Sequence, residues 1–485
     1  MIFNSVTYLV FLSCVVLLYW WLPARPRLWM IFIGSIVFYA FWRVDFVPVM
    51  LVSVLTDYLA ALGIHRSHES VRRKVYLGLS LFINLGLLFY FKYLLFFADN
   101  AVGLLHLAGI DADPIVFNII LPLGISFYTF QTISYSVDVY RGFIAPERDF
   151  VLFGCYVTFF PQLVAGPILR AVEVLPQLRN RVRFEIGFII EGARRILYGL
   201  FLKVVLADNI APLVDTGFSQ SVSTLSALDV WTLAFLFGFQ IYFDFSAYSH
   251  IALGSARLMG ISLPENFNFP YAADSPREFW KRWHISLSSW IRDYLYLPLA
   301  GEKVQDRSTG GLAAAAREDR PDRKNRALFL TWGIMGLWHG ANWTFLAWGL
   351  YHAALIYGFR LFAPIRKALP RNAGKFGGWA ITLLLVMLGW IPFRAGSVGD
   401  LFSMWGILLQ VKGYLWLGMR ENTYLITALL LLGFLGRYWA TVYLIPVIRR
   451  WVALSQLVET LAFGVIICLV FVFLRPISQF IYFQF

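Results

Sequence analysis

Imidazoles are the side chains best suited to moving protons near neutral pH, and two of the seven histidines in this sequence lie in surroundings that demand a partner. His339 falls in Trp332-Gly-Ile-Met-Gly-Leu-Trp-His-Gly-Ala-Asn-Trp-Thr-Phe345, inside a stretch with no charged residue from Ala327 to Phe359. Read as one helix, Trp332, Met335, His339 and Asn342 follow a single stripe, which puts Asn342 one turn beyond His339, where its amide can orient the ring. Gly333, Gly336 and Gly340 leave an adjacent face smooth enough for a close helix neighbour. An imidazole taken out of water is neutral and able to accept a proton, the chemistry of a general base. The competing reading is a histidine hydrogen-bonded into a helix interface.

His284 falls in Ser275-Pro-Arg-Glu-Phe-Trp-Lys-Arg-Trp-His-Ile-Ser-Leu-Ser-Ser-Trp-Ile-Arg-Asp-Tyr294. Trp280, Trp283, Leu287, Trp290 and Tyr294 recur at three and four residues, a spacing that predicts one amphipathic helix, started by Ser275 as cap and Pro276 at the first position. Lys281, Arg282 and Arg292 between the aromatics suit a helix at headgroup level on the cytoplasmic face, with an incidental histidine as the plainer alternative. A third polar stretch, Gln240-Ile-Tyr-Phe-Asp-Phe-Ser-Ala-Tyr-Ser-His250, holds the carboxylate of Asp244 one helical turn before Tyr248. That pair reads either as a structural hydrogen bond or as the polar wall of a cavity. The other histidines carry less: His65 and His68 sit in a basic loop, His106 in a short exterior loop, and His352, in Gly-Leu-Tyr-His-Ala-Ala, has the look of a satisfied packing residue. No Walker-type loop, G-x-S-x-G elbow or His-Glu-x-x-His is present, and Cys14, Cys155 and Cys468 are too scattered for a disulfide framework or a thiolate metal site, so no metal is expected.

These residues need elements to hold them, and the composition says what those are. Of 485 residues 59% are hydrophobic, 18% aromatic and only 14% charged, against about a quarter charged in soluble domains. A mean hydropathy of +0.67 over this length excludes a water-soluble globule and predicts a polytopic membrane protein. The net charge of +13 is therefore read first as positive-inside bias, not as nucleic-acid binding. Apolar segments near 5–23, 28–42, 45–63, 75–97, 115–138, 151–169, 186–206, 230–249, 327–357, 378–393, 423–446 and 456–474 give ten to twelve elements at membrane depth. Pro161 and Pro167 break one run, and Pro122 with Gly124 another, so re-entrant helices around an internal cavity are expected. Arg25 and Arg27, then Arg66, Arg72, Arg73 and Lys74, then Arg170, Arg179, Arg181 and Arg183 mark short cytoplasmic loops, which puts the N-terminus outside. The first apolar run has no charged segment before it and no small-residue cleavage signal after it, so it reads as a retained span. Residues 301–326, with seven basic and five acidic side chains around Gly-Gly-Leu-Ala-Ala-Ala-Ala, form the one long polar insert and read as a mobile cytoplasmic loop within a single membrane domain spanning 1–485.

Taken in order, Leu121-Pro-Leu-Gly-Ile-Ser-Phe-Tyr-Thr-Phe-Gln131, Phe159-Phe-Pro-Gln-Leu-Val-Ala-Gly-Pro-Ile168, Gln240 to His250, Glu278-Phe-Trp-Lys-Arg-Trp-His-Ile-Ser-Leu287, Gly336-Leu-Trp-His-Gly-Ala-Asn-Trp343 and the terminal Phe480-Ile-Tyr-Phe-Gln-Phe485 resemble the membrane-bound O-acyltransferase family. The resemblance is to its bacterial branch, which includes the membrane subunit of alginate O-acetylation. It implies an all-α helical shell with re-entrant helices around a central tunnel, with the family's invariant histidine carried onto His339 and its second polar position onto His284. Asp244, Tyr248, His250, Trp283, Trp338 and Asn342 would line the tunnel, and Lys281 and Arg282 would attract a phosphate-rich donor. The implied activity moves an acetyl group from a cytoplasmic thioester, acetyl-CoA as substrate with no bound cofactor, to an extracytoplasmic polysaccharide such as alginate. An exported acetyltransferase would be the partner, and the bacterial inner membrane the location. One departure stands out: where the family pattern has Gly-Tyr-Ser-Asp, this chain has Ala247-Tyr-Ser-His250, a base in place of an acid. Alternatives are D-alanyl transfer from a carrier protein to teichoic acid, and a transporter or lipid flippase with His339 and Asp244 as a proton relay. The polar insert argues against the first, and the lack of a visible inverted repeat against the second.

Overall fold

Runs of Leu, Phe, Val and Ile without enough polar residues to hydrate a backbone must satisfy their amide groups internally, and a helix does so within one segment. The computed structural model describes residues 1–113, 118–164, 166–302, 321–364, 370–475 and 480–481, and every regular element among them is helical. Among the described residues, seven helices are long and apolar enough to cross a bilayer: Val44–Arg66, Ser70–Leu107, Ile186–Phe218, Ala227–Leu258, Gly374–Arg394, Glu421–Ile448 and Val452–Val472. The chain is a multi-pass membrane protein.

The residues divide into two compact units, one of Met1–Ile196, Ile251–Pro264 and Arg292–Asp319, the other of Leu197–His250, Glu265–Ile291 and Arg320–Phe485. In the first, apolar attraction cannot glue helices that are equally apolar to lipid, and polar side chains take over. Asp57, fully buried, accepts Ser80 Oγ at 2.5 Å, Ser136 Oγ at 2.5 Å and Asn84 Nδ2 at 2.6 Å, which ties together the helices Val47–Arg66, Ser70–Leu88 and Ile125–Arg141. Arg27 and Arg170, expected in solvated loops, are instead buried. The first lies over the Tyr19 ring, and the second lies 4.4 Å over the Tyr294 ring and 3.4 Å from Asp293.

Both expected proline breaks are present. The Ile125–Arg141 helix begins only after Gly124, at φ +73, where a Cβ would stand 2.5 Å from the Leu163 carbonyl oxygen, and Phe150–Thr158 stops short of Pro161. The 327–357 run, by contrast, is two helices, Pro321–His339 and Trp343–Leu361. Residues 303–320 of the polar insert lie outside the described residues, and its last part, from Pro321, is helix and not loop.

Candidate active site

All the candidate residues belong to the second unit. Around His284 the expected single helix is interrupted. Ser275 does cap it, accepting the Glu278 amide, and Pro276 does open it, but it ends at Trp280 and a new helix runs from Ile285 to Ile291. The reason lies outside the amphipathic pattern. The segment 266–268 pairs with the break through its backbone: Asn268 donates to the Arg282 carbonyl at 2.9 Å, and Ile285 donates to that of Asn266 at 2.9 Å. His284 itself is held at φ +41, a left-handed conformation that a side chain other than glycine seldom adopts and that persists only where its surroundings impose it.

Those surroundings also decide which nitrogen of His284 carries the proton. Asn266 Oδ1 accepts the Ser286 backbone N–H at 3.2 Å and its hydroxyl at 2.9 Å, while Asn266 Nδ2 donates to Ser249 Oγ at 3.3 Å. A backbone N–H can only donate, so Oδ1 is an acceptor, and His284 Nδ1, 3.1 Å away, must donate to it. The neutral ring therefore carries its lone pair on Nε2. Full burial, outside the seven crossing helices, pushes this imidazole down to about 3, so it is neutral at any physiological pH. Its ring stands nearly perpendicular to that of Phe245, with ring centroids 4.6 Å apart.

Between about pH 6.5 and 3 the unfolded chain binds a proton at this site that the folded chain refuses, so stability falls as pH is lowered through that window. The slope from this one group is at most about 1.4 kcal/mol per pH unit. In detergent, the melting temperature of the wild type is expected to drop more steeply from pH 7 to 4.5 than that of His284→Gln. Parallel curves would refute the burial argument.

His339 is the last residue of its helix, 6% exposed, and its ring is boxed by Trp338 at 4.9 Å, Trp348 at 4.9 Å and Phe393 at 5.3 Å. The glycines next to it are sterically required. A Cβ on Gly340 would meet the Phe345 ring at 2.1 Å, and one on Gly336 would meet the Phe345 carbonyl oxygen at 2.2 Å, so the helix packs closely on its successor as the glycine face predicts. Asn342 does not continue the stripe. It is exposed and caps the following helix, accepting the Thr344 amide at 3.0 Å, because the chain turns at Gly340.

Trp283, buried, is 4.8 Å from Trp390, which is 6.3 Å from Trp348, so an unbroken aromatic wall runs from the neighbour of His284 to His339. Asp244 is not paired with Tyr248 in the way its spacing suggested. Its oxygens take Lys203 Nζ at 2.7 Å and the Ile481 amide at 2.7 Å, while Tyr248 lies edge-on to Phe480. Lys203 also reaches Asp208 at 2.9 Å, and its own burial is nearly complete. Nothing in the periodicity singled out Lys203, although a lone cation in Phe201-Leu-Lys-Val-Val-Leu206 was the available signal. The His250 ring stands edge-on to Tyr198, whose ring also carries the Arg437 guanidinium at 4.3 Å. Lys281 and Arg282 both pair with Glu278, at 3.3 and 3.1 Å, so this one carboxylate is shared between two cations.

The chain is thus a helical, multi-pass membrane protein that buries His284 and His339 among aromatic rings. The chain belongs to the membrane-bound O-acyltransferase family, whose model matches residues 148–391, and it is an O-acyltransferase. It is 37% identical over 417 residues to the probable alginate O-acetylase AlgI of Azotobacter vinelandii, covering 84% of this chain and 78% of that protein. To the peptidoglycan O-acetyltransferase of Helicobacter pylori it is 34% identical over 402 residues, covering 78% and 72%. More distantly, it is 29% identical over 304 residues to the teichoic acid D-alanyltransferase of Streptococcus thermophilus, covering 58% and 69%.

Proposed function

We propose that this chain takes an acetyl group from a cytoplasmic thioester, acetyl-CoA, and delivers it across the bacterial inner membrane for O-acetylation of an extracytoplasmic polysaccharide such as alginate, with an exported acetyltransferase completing the transfer. The observation that carries this reading is the extent of similarity: the match to the O-acetylase covers 84% of the chain, that to the D-alanyltransferase only 58%.

The attacking hydroxyl oxygen bonds to the thioester carbonyl carbon while its proton passes to the His339 imidazole. The carbon–sulfur bond then breaks, the proton is returned to the departing thiolate, and the products are an ester and a free thiol. Two ligands held together in one site supply the larger, proximity part of the acceleration. His284 is given a different part. With its proton committed to Asn266, Nε2 accepts and does not donate, which favours orienting a hydroxyl or N–H of the substrates over stabilising an oxyanion. Lys281 and Arg282 share one carboxylate, Glu278, and keep a net positive charge that attracts a phosphate-rich donor.

The test is to supply the purified protein with radiolabelled acetyl-CoA and look for release of CoA that requires His339. If no donor turns over, a carrier-protein donor gains ground over acetyl-CoA. For His284→Ala a rate loss of about a hundredfold is expected, consistent with loss of a positioned proton acceptor; unchanged kinetics would reduce His284 to a packing residue.

A further inference from the structure

Arg437 has no part in the reaction as written above. It lies within Glu421–Ile448, one of the helices long and apolar enough to cross the bilayer, about 17 Å along the helix from the nearer end. A charge inside such a segment is costly and persists where something satisfies it. What the second unit supplies is aromatic and uncharged. The guanidinium lies 4.3 Å over the Tyr198 ring and 5.4 Å over that of Phe269, close enough for both rings to attract it. Among the described residues its N–H donors meet no carboxylate and no other acceptor. Another ring against Tyr198, that of His250 at 4.8 Å, is a base and brings no negative charge.

This guanidinium is also reachable. Arg437 is exposed, and a long side chain on a helix leans over the turn before it, here towards Gly433. On the exposed flank of the same helix Leu425, Leu429 and Leu432 form a stripe, and the positions one turn after Leu429 and Leu432 are Gly433 and Gly436. A Cβ added at either would find nothing within 4 Å, so the leucine stripe gives way to open space beside the cation. Phe269 connects the position to the groups assigned above to attracting the donor. It follows Asn268, whose amide donates to the Arg282 carbonyl at 2.9 Å, next in the chain to Lys281. An accessible guanidinium with aromatic faces behind it suits an anion whose oxygens can take two parallel N–H donors. Phosphate is the anion that both the thioester donor and the phospholipids of the bilayer carry.

We propose that Arg437, backed by Tyr198 and Phe269 and open towards Gly433, binds a phosphate group, either of the CoA donor or of a phospholipid. The first source rests on the acyl-transfer reading above and adds a donor contact to Lys281 and Arg282; the second does not need that reading. Arg437→Gln keeps a hydrogen-bonding end and removes the charge. If the phosphate is the donor's, the variant's KM for acetyl-CoA rises about tenfold, the worth of one charge-assisted hydrogen bond, with kcat changing less. Turnover of S-acetylpantetheine, which has no phosphate, is then the same in variant and wild type. If the phosphate is a lipid's, KM is unchanged and the phospholipid retained by the detergent-purified protein, counted by native mass spectrometry, falls. Arg437→Lys, which keeps the charge and loses the fork, shows part of either effect. If Arg437→Gln does not accumulate, Gly433→Leu, which fills the open face, raises KM or displaces phospholipid in the same way. Wild-type KM together with wild-type phospholipid retention overturns the proposal. So does an equal loss with acetyl-CoA and S-acetylpantetheine, which is what a merely structural arginine gives. If the wild-type protein turns over no acetyl-CoA, the donor reading has failed by itself. The site is then judged by phospholipid retention, where a loss in Arg437→Gln supports it and no change rejects it.

Discussion

Replacing His339 by alanine is expected to lower acyl transfer by at least about a hundredfold, the lower end of what a positioned general base contributes, while leaving the protein folded and in the membrane. The two halves of that expectation have separate grounds. Loss of activity follows from the assignment of the proton to this ring. Retention of the fold follows from where the ring sits. His339 ends its helix, and the close contact that joins this helix to the next is made by Gly336 against the backbone of Phe345, not by the imidazole. Trp338, Trp348 and Phe393 would border the space left behind, and they remain packed on other partners: Trp348 on Trp390, and Phe393 on Phe345. The measurements are His339-dependent release of CoA from acetyl-CoA, surface O-acyl ester content in cells, and the elution profile of the detergent-solubilised variant. His339→Gln, which keeps a hydrogen-bonding side chain without a basic nitrogen, should be nearly as impaired. Normal ester content in a well-expressed His339→Ala strain would remove this residue from the mechanism.

How much of this was legible in the sequence depends on how local each determinant is. Membrane crossing was legible because it is a sum over some twenty consecutive side chains, and the breaks at Pro122 and Pro161 were legible because proline acts on its own backbone. The apolar surroundings of His339 were legible for the same reason. Asn266 was not. It fixes the His284 tautomer from 18 residues away and interrupts an otherwise faultless amphipathic pattern at Lys281 to His284, which no period of three or four can report. Asn342 illustrates the opposite error. Its spacing from His339 was right for a helix, but Gly340 lets the chain turn before the stripe arrives, and the same amide serves as a cap. Lys203 and Asp244 lie 41 residues apart, and only the fold pairs them. His352, whose ring nitrogens meet no hydrogen-bond partner among the described residues, is the sharpest case, since a histidine in an apolar run reads identically whether or not something meets it.

Asp244→Ala carries the largest expected effect on stability. The carboxylate is buried, receives the Lys203 ammonium at 2.7 Å and the Ile481 amide at 2.7 Å, and shares that cation with Asp208. Removing one partner of a buried ion pair strands the other charge, which typically costs about 3–5 kcal/mol, more than the net worth of the pair itself. Asp208 remains 2.9 Å from Lys203 and will offset part of this, so the lower end of that range is expected, seen as a fall in melting temperature and in the amount of protein recovered from membranes. Asp244→Asn keeps an acceptor for the Ile481 amide but no countercharge, and should fall between. The informative variant is the triple one. If the cluster is structural, Lys203→Met with Asp244→Leu and Asp208→Asn removes all three charges together and should recover most of the loss, because well-packed uncharged residues commonly replace buried ion pairs without penalty. Recovery of stability without recovery of acyl transfer would separate the two readings that the sequence left open, and would make the Lys203–Asp244 pair, with the Ile481 amide it holds, part of the working site and not only of the scaffold.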